Sequence, residues 1–295
     1  MTQPAVSIVL PVYNGGASLA LAVQSILDQS FADWELLLLD DGSTDGAVAR
    51  LGCLSDPRVN VLADGRNKGL AARLNEGIAQ ARASLIARMD HDDFAHPDRL
   101  RLQVEFLLAH PEVDLVGTRC VTMDEGNSVF GELPFAGSHG EICRRPWLGF
   151  YLAHPTWMGR TGWFRDHHYA EPAPYCCEDQ ELLLRARRTS CYHAISDPLL
   201  AYRVRAKVPF RKLLRTRSAW VRVQTERFIE ERRLGALILC LLAFGGRLIS
   251  DATRELLPKL RSDFRPLRPR DEIGWDKLID AAVRRGARST EGSDT

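Results

Sequence analysis

The chain has 295 residues, of which 45% are hydrophobic and 26% are charged, a composition typical of one large globular domain or of a domain with an appendage. The formal net charge is +1, which gives no reason to expect a nucleic-acid partner. The seven cysteines include no Cys-x-x-Cys pair, which argues against a disulfide framework and a zinc site and favours the reducing cytoplasm.

Short apolar runs alternate with segments of helical spacing through residues 1–94. We predict, in order, strand Val6–Leu10, helix Leu19–Gln29, strand Glu35–Leu39, strand Val59–Leu62, helix Leu70–Ala81 and a strand that begins at Leu85. No basic or long apolar segment precedes the first strand, so we expect no signal peptide. The alternation predicts an α/β fold with a mostly parallel, doubly wound sheet and helices on both faces.

Polar clusters follow three of these strands. They are Tyr13-Asn14, Asp40-Asp41 and Asp90–Asp93. Ligands of open parallel sheets bind beyond the carboxyl ends of the strands. One such cluster is easily explained as a solvated turn, but three at the same edge are not. The sequence therefore predicts a binding site at this edge of the sheet.

The segment Leu85–Phe94 ends in three carboxylates, Asp90, Asp92 and Asp93. Carboxylates this close raise one another's pKa unless a cation neutralises them. Their oxygens suit Mg²⁺ or Mn²⁺, which typically takes its remaining ligands from a phosphate-bearing substrate. We therefore expect a metal–diphosphate site here, with a solvated acidic turn as the alternative.

The second part of the chain continues the mixture of helices and strands. We predict helix Pro97–Leu108, strand Val113–Val116, a hairpin of Thr118–Met123 and Ser128–Leu133, helix Gly140–Leu148, strand His154–Met158, helix Gln180–Arg188 and a last strand Pro198–Arg203. Specificity for substrates is expected in the loops between Phe130 and Tyr175.

Past Val204 the chain becomes basic and then apolar. Residues 203–233 hold eleven Lys or Arg and three Glu, a local net charge of +8. The thirteen-residue apolar run Leu234–Gly246 is too short to span a bilayer and fits a buried or interfacial helix. This order predicts peripheral contact of residues 203–246 with the anionic inner membrane surface. Packing on the catalytic domain or on a second subunit of a homo-oligomer is the alternative, and Gly286–Thr295 is expected to fray.

Several linked motifs resemble those of family 2 glycosyltransferases. They are VSIVLPVYNG at Val6–Gly15, ELLLLDDGSTDG at Glu35–Gly46, Asn67–Gly69, ARMDHDDF at Ala87–Phe94 and EDQELLLR at Glu178–Arg185. Their order and spacing match over Val6 to Arg205. The resemblance implies a GT-A fold, a nucleotide-sugar donor (a UDP-sugar above all), a Mn²⁺ or Mg²⁺ cofactor and inversion at the anomeric carbon. The acceptor is expected to be a surface glycan or a lipid-linked glycan.

The resemblance also implies a nucleotide pocket at the ends of the first two strands. Asp41 is expected to accept the imide N–H of uracil, with Asp40 as support, since a carboxylate is an acceptor-only group. Pro11 and Tyr13 are expected to form walls of the base pocket, and Asn67 to fix a turn beside the nucleotide.

By the same resemblance, Asp92 faces the ribose and the metal, and Asp93 is close enough to be the metal ligand. Which of Asp90, Asp92 and Asp93 contacts the ion stays open. Glu178 and Asp179 resemble the catalytic acid pair, with Asp179 as the general base that a sugar hydroxyl requires. We expect the helix N-terminus to favour the ionised form of Asp179. Helix capping is the alternative role of the pair.

These motifs divide the chain into two predicted regions. Residues 1–204 form the catalytic domain, with the nucleotide-sugar side at about 1–117 and the acceptor side at about 118–204. Residues 205–295 form a helical appendage. A nucleotidyltransferase is a second hypothesis, but it expects a basic phosphate loop after the first strand, and no basic residue occurs before Arg50. A non-catalytic binding protein is a third, and it predicts a broken acid set.

Other side chains carry weaker signals. His154 is a candidate for contact with a phosphate or the acceptor, or a structural residue. Arg185 either binds a phosphate or pairs with a carboxylate. Trp157 and Trp163 are expected to pack in the core, as are Cys176-Cys177.

Overall fold

The computed structural model describes residues 3–205, 208–256, 267 and 269–291. Within these residues nine strands form one sheet, with the order β3-β2-β1-β4-β8-β6-β9-β5 and with β7 paired to β6. The strands are β1 Val6–Val12, β2 Trp34–Asp40, β3 Val59–Ala63, β4 Leu85–Arg88, β5 Phe94–Ala95, β6 Leu115–Met123, β7 Val129–Glu132, β8 Met158–Arg160 and β9 Tyr192–Arg203.

Helices cover both faces of the sheet and continue beyond it. They are α1 Ser18–Leu27, α2 Leu70–Gln80, α3 Arg99–Ala109, α4 His139–Ile142, α5 Thr161–Asp166, α6 Glu178–Ala186, α7 Phe210–Glu230, α8 Leu234–Leu256 and α9 Pro269–Glu291. Two single-turn 3₁₀ helices lie at Val48–Arg50 and His154–Thr156.

The first half of the sheet is parallel, as predicted. β1 lies between β2 and β4, and β2 pairs with β3. β1 is buried along its whole length because both of its faces are covered. Ile8 and Leu10 face the core that includes α1 and α3, whereas Val9 faces the core that includes α2 and α6. This alternation follows from the two-residue repeat of a strand.

The second half of the sheet is mixed. β6 and β9 pair in parallel along the whole of Leu115–Met123, while β8 is antiparallel to both β4 and β6. β5 is antiparallel to β9. Most paired positions of the sheet are therefore parallel, and the predicted α/β architecture is confirmed.

Several predicted elements have different bounds. Val113–Val116 and Thr118–Met123 are parts of the single strand β6, because Gly117 continues the pairing with β9. The predicted helix over Gly140–Leu148 ends at Ile142, well before Pro146, whose ring and missing N–H oppose a helix interior.

Two further predictions need correction around prolines. His154–Met158 is a 3₁₀ turn with Pro155 followed by β8, so the strand prediction there was wrong. The last strand begins at Tyr192 rather than at Pro198, because a register shift opposite Arg119 accommodates the proline. The short helix α5 was not predicted.

The described residues of 208–256 and 269–291 are mostly helical, as expected. The side chains Trp275, Ile279 and Ala282 of α9 lie in one apolar cluster with residues of β5, β6 and β9. The predicted boundary at residues 204 and 205 stays a prediction. α9 continues to Glu291, so fraying does not begin at Gly286, and residues 292–295 lie outside the described residues.

The apolar run at Leu234 is longer than the sequence pattern suggested. α8 has 23 residues, and its segment Leu234–Thr253 has 20 residues with a mean hydropathy of 1.7. By length and composition alone, this segment could cross a membrane. The sequence prediction counted only the uncharged run up to Gly246, whereas the helix continues beyond it.

Candidate functional site

Asp41 lies at the end of β2 and fastens it to the start of α2. Its carboxylate accepts hydrogen bonds from the backbone N–H groups of Lys68 at 2.7 Å and Gly69 at 3.0 Å. It also accepts one from Nε of Arg73 at 3.0 Å. Three donors leave the four lone-pair sites of a carboxylate with room for one further donor. The predicted contact with a uracil N–H is compatible with this geometry and stays a prediction.

The loops after β1 and β2 are joined to each other. The backbone N–H of Asn14 donates to Oγ of Ser43 at 2.9 Å, and the N–H of Thr44 donates back to Oδ1 of Asn14 at 2.9 Å. Asp40 accepts from the N–H of Ser43 at 2.9 Å, so it holds the second loop, while its predicted role beside a nucleotide stays a prediction. Neighbouring Tyr13 is half exposed, with a ring face available to a base.

Gly42 and Asn67 bring a third segment to the same edge. Gly42 has φ of +77°, and a Cβ atom there would lie 3.0 Å from the carbonyl carbon of Arg66 and 3.2 Å from the nitrogen of Asn67. Only glycine fits both this conformation and this approach. Pro11 is buried near the end of β1 at the same edge. We call the five residues predicted for the nucleotide pocket the base-side group, and their contact with a nucleotide stays a prediction: Pro11, Tyr13, Asp40, Asp41 and Asn67.

The acid loop that follows β4 is held by the end of β9. Oδ1 of Asp93 accepts a hydrogen bond from the N–H of Arg203 at 2.8 Å, and Nε of Arg203 donates to the carbonyl of Asp92 at 2.7 Å. Asp93 is only 1% exposed. Burial, followed by the charges of Asp90 and Asp92, holds the pKa of Asp93 well above its usual value.

These carboxylates fit a divalent metal that shares its coordination with a substrate. Oδ2 of Asp93 is buried and has no hydrogen-bond partner among the described residues. Asp90 and Asp92 are half-buried beside it. In the described part of the chain, no three His, Cys, Asp or Glu side chains are arranged to hold a metal by themselves. That pattern suits Mg²⁺ or Mn²⁺, which is commonly bound by one or two carboxylates together with substrate phosphates.

Glu178 and Asp179 are the first two residues of α6. Burial, then the charge of Asp179, raises the pKa of Glu178 to about 7. Burial also raises the pKa of Asp179, so the expected effect of the helix N-terminus does not decide its ionisation. Gln180 donates to Asp179 at 3.2 Å and is itself fixed by the backbone of Phe150, whose N–H donates to Oε1 of Gln180 at 2.8 Å.

One cavity of about 940 Å³ joins the acid loop to this pair. Asp90, Asp92 and Asp93 line one part of it, and Glu178 and Asp179 line another. Leu70 and Ala71, the first residues of α2, also line it, which connects the cavity to the loop that Asp41 holds. Its apolar walls come from Leu133-Pro134, Phe150–Pro155 and Ala173–Tyr175, within the loops expected to set specificity.

Arg88 also lines this cavity, and the motif analysis assigned it no role. Its side chain is buried, and one guanidinium nitrogen pairs with Oδ1 of Asp90 at 2.5 Å. Nε and Nη1 have no partner among the described residues. Burial raises the pKa of Glu178, Asp179 and Asp93, and the positive charge of the guanidinium partly offsets that rise. An arginine in an apolar run is the signal that could have identified it, since a buried charge needs a partner.

His154 lies in the cavity wall and contacts Tyr169. Its Nε2 is 2.6 Å from the Tyr169 hydroxyl. Burial, followed by the charge of Arg88, holds the pKa of His154 well below its usual value, so the ring is neutral at pH 7. A neutral ring that is fixed by a tyrosine supports the cavity wall, and contact with a substrate stays a prediction.

The other weak candidates lie outside the cavity or in the core. Arg185 pairs with Glu181 at 2.8 Å, which matches its role as a carboxylate partner. Trp157 and Trp163 are buried, as expected. Cys177 is buried too, whereas Cys176 is exposed with φ of +51° and lines the cavity, so the prediction that it packs in the core was wrong.

Comparisons with known proteins agree with this arrangement. The family model described as "Glycosyl transferase family 2" matches residues 7–167. The chain is 40% identical over 157 residues to EpsE of Bacillus subtilis (strain 168), which is named as a glycosyltransferase; the match covers 48% of this chain and 56% of EpsE.

A second relative comes from Escherichia coli. It is the UDP-Glc:alpha-D-GlcNAc-diphosphoundecaprenol beta-1,3-glucosyltransferase WfgD, 34% identical over 103 residues, which are 35% of this chain and 41% of WfgD. The chain thus spans about half the length, or less, of these curated relatives.

The fold is similar to that of a solved structure. The crystal structure of S. aureus TarS 1–349 in complex with UDP-GlcNAc superposes with a TM-score of 0.62 at 18% sequence identity, covering 86% of this chain and 76% of that one. This similarity supports the GT-A fold.

Proposed function

The chain belongs to glycosyl transferase family 2, and on this basis we propose that it transfers a sugar from a nucleoside-diphosphate donor to a hydroxyl group of a glycan acceptor. The observation that carries the proposal is the shared cavity. It brings the acid loop after β4 and the acid pair at the start of α6 together, although they are far apart in sequence.

In this proposal the donor is a UDP-sugar. Uracil lies at the base-side group, against Tyr13 and within reach of the Asp41 carboxylate, which can accept one more hydrogen bond. The diphosphate then extends past the start of α2 towards Asp92 and Asp93. The UDP-Glc in the name of WfgD and the UDP-GlcNAc in the TarS complex support this choice of nucleotide.

Asp92 and Asp93 would hold Mn²⁺ or Mg²⁺ in this proposal. When bound, the ion supplies positive charge that stabilises the departing diphosphate. Oδ2 of Asp93, which is buried and has no hydrogen-bond partner in the described part of the chain, is the group most in need of such a cation.

Asp179 acts as the general base on the opposite part of the cavity. It accepts the proton of the acceptor hydroxyl as that oxygen forms a bond to the anomeric carbon and the bond to the diphosphate breaks. Attack from the face opposite the leaving group inverts the configuration. Gln180, fixed by Phe150, orients the Asp179 carboxylate for this transfer.

The acceptor is proposed to be a surface glycan or a lipid-linked glycan. The apolar walls of the cavity between residues 133 and 176 leave room for a second substrate beside the acids. The diphosphoundecaprenol-linked acceptor in the name of WfgD supports a lipid-linked substrate.

A donor screen tests the proposal. The purified protein is incubated with UDP-, GDP- and dTDP-sugars, and released nucleoside diphosphate is measured with Mn²⁺, with Mg²⁺ and with EDTA. We expect release from at least one UDP-sugar, loss of release in EDTA and recovery when Mn²⁺ is added back.

The matched variants are Asp93→Asn and Asp98→Asn. Asp98 is an acid near the same loop, but it is bound to Ser30 and Arg101 rather than exposed to the cavity. Only Asp93→Asn should lose metal-dependent release. Full release by Asp93→Asn, or release that EDTA does not reduce, would contradict the metal assignment. Absence of release from every donor tested would contradict the proposed function.

A further inference from the structure

The outward face of α8 is apolar. Five side chains on this face are each more than half exposed: Leu234, Ile238, Leu241, Leu242 and Ile249. At 100° per residue they fall within a stripe of about 100°. Residues 234–246 include no charged side chain. A surface helix normally turns its polar face to water, so this helix is oriented the opposite way.

Two charged side chains of α8 point instead towards the protein. Asp251 is buried and pairs with Nε of Arg217 on α7 at 3.1 Å. Arg247 donates a hydrogen bond to the carbonyl of Leu148. Ala236 and Cys240 are buried in the cluster that contains α7. The helix is therefore docked along its inner side.

These contacts oppose a membrane-spanning orientation. Arg247 and Asp251 both lie within the segment that is long enough to cross a bilayer. Crossing would separate Asp251 from Arg217 and move the charges of Arg247 and Asp251 towards hydrocarbon, where a charged side chain is unfavourable. A helix that lies along the membrane plane keeps every inner contact, and its stripe from Leu234 to Ile249 is about 22 Å long.

Cations flank the start of the stripe. Arg232 and Arg233 are exposed directly before Leu234. Basic residues near an anionic lipid surface attract it electrostatically, and an apolar helix face supplies the second signal for attachment.

We propose that this outward face of α8 docks on an anionic lipid bilayer, with the helix parallel to the surface and the arginines at the headgroups. This surface lies apart from the cavity, so the proposal does not depend on the proposed reaction. A protein partner with a neutral or basic surface would gain nothing from the flanking arginines. Anionic lipid, in contrast, matches both the apolar stripe and these arginines.

Flotation with vesicles tests the proposal. The full-length protein is mixed with vesicles of phosphatidylglycerol and phosphatidylcholine, or of phosphatidylcholine alone, at low and at high salt. We expect binding to the anionic vesicles at low salt and a steep loss at high salt, because salt screens exposed charges.

Three variants separate the two parts of the patch. Ile238→Glu with Leu242→Glu should reduce binding at least tenfold. Arg232→Gln with Arg233→Gln should weaken binding only to the anionic vesicles. Leu108→Glu is the matched control, since Leu108 is equally exposed but lies on α3, and it should bind as the unmodified protein does. Circular dichroism and donor binding report whether each variant is folded.

Two results would overturn the proposal. The first is an unmodified protein that ignores anionic vesicles at low salt, and the second is a folded Ile238→Glu, Leu242→Glu variant that still floats fully. Sedimentation velocity tests whether a second copy of the chain is the partner instead. If the unmodified protein is a dimer that does not bind vesicles and the double variant is a monomer, the face is a subunit interface. Because none of these readouts measures sugar transfer, they fail independently of the proposed function.

Discussion

Glu178 and Asp179 lie side by side at the start of α6, where burial raises the pKa of both carboxyls. The pKa of Glu178 reaches about 7 because the ionised Asp179 adds to the effect of burial. Two acids this close take up their first proton as a pair. The base must be deprotonated to accept the proton of the acceptor, and the pKa of Asp179 is raised by burial, so the proposed reaction slows on the acidic side at a higher pH than an ordinary aspartate would give.

The substitution Glu178→Gln tests this coupling. It removes the neighbouring negative charge, so the acidic limb of the kcat/KM profile should move to lower pH while transfer itself survives. The measurement is kcat/KM between pH 5 and 9 for both proteins. If the limb of Glu178→Gln stays where it was, the pair does not control the reaction.

Arg88 provides a second test at the same scale. Its buried guanidinium stabilises the ionised forms of Glu178 and Asp179, so Arg88→Met should raise their pKa values and move the acidic limb to higher pH. Arg88→Lys keeps the charge and should keep the limb near its original position. A loss of activity without any movement of the limb in Arg88→Met would mean that Arg88 serves folding alone.

At the scale of elements, the loops at the ends of β1 and β2 depend on Gly42. A side chain in the left-handed region costs roughly 1–2 kcal/mol, so both Gly42→Ala and Gly65→Ala should lower thermal stability. A Cβ at Gly65 meets nothing within 4 Å, whereas one at Gly42 presses on Arg66 and Asn67 beside Asp41. Only Gly42→Ala should weaken UDP binding, measured by calorimetry. Equal UDP affinities of the two variants would mean that the nucleobase of UDP binds elsewhere.

The elements also show where sequence patterns succeed. β1 and β2 were predictable because strands buried on both faces are continuous apolar runs. The prediction failed at β9, whose pairing passes Pro198 through a register shift, and at the turn around Pro155. In both places the secondary structure depends on a backbone partner that is distant in sequence.

Single residues of the candidate site also differ in whether the sequence could predict them. The acids Asp41, Asp93 and Asp179 could be predicted because each follows a recognisable motif at the edge of a sheet or the start of a helix. The role of Arg203, which fixes the acid loop from β9, could not, since one arginine in a basic segment carries no pattern. The inward direction of Asp251 in α8 was equally hidden, because it depends on Arg217.

Across the whole molecule, the proposed reaction divides between two groups of residues at the cavity. In this proposal the ends of β1, β2 and β4 hold the nucleotide and its diphosphate, while α6 presents the general base Asp179 to the acceptor. Binding of the donor and chemistry on the acceptor should therefore be separable by substitution on one side alone.

The most direct test of this division is a comparison of donor affinity and transfer rate in Asp179→Asn, which keeps the shape of the side chain but cannot take a proton. Calorimetry should give a UDP-sugar affinity within about twofold of the unmodified protein, and transfer should fall by about 10² or more, the scale of general-base catalysis. A variant that loses donor affinity while its bound donor still reacts at the original rate would contradict the account, because Asp179 would then bind the donor and the base would lie elsewhere.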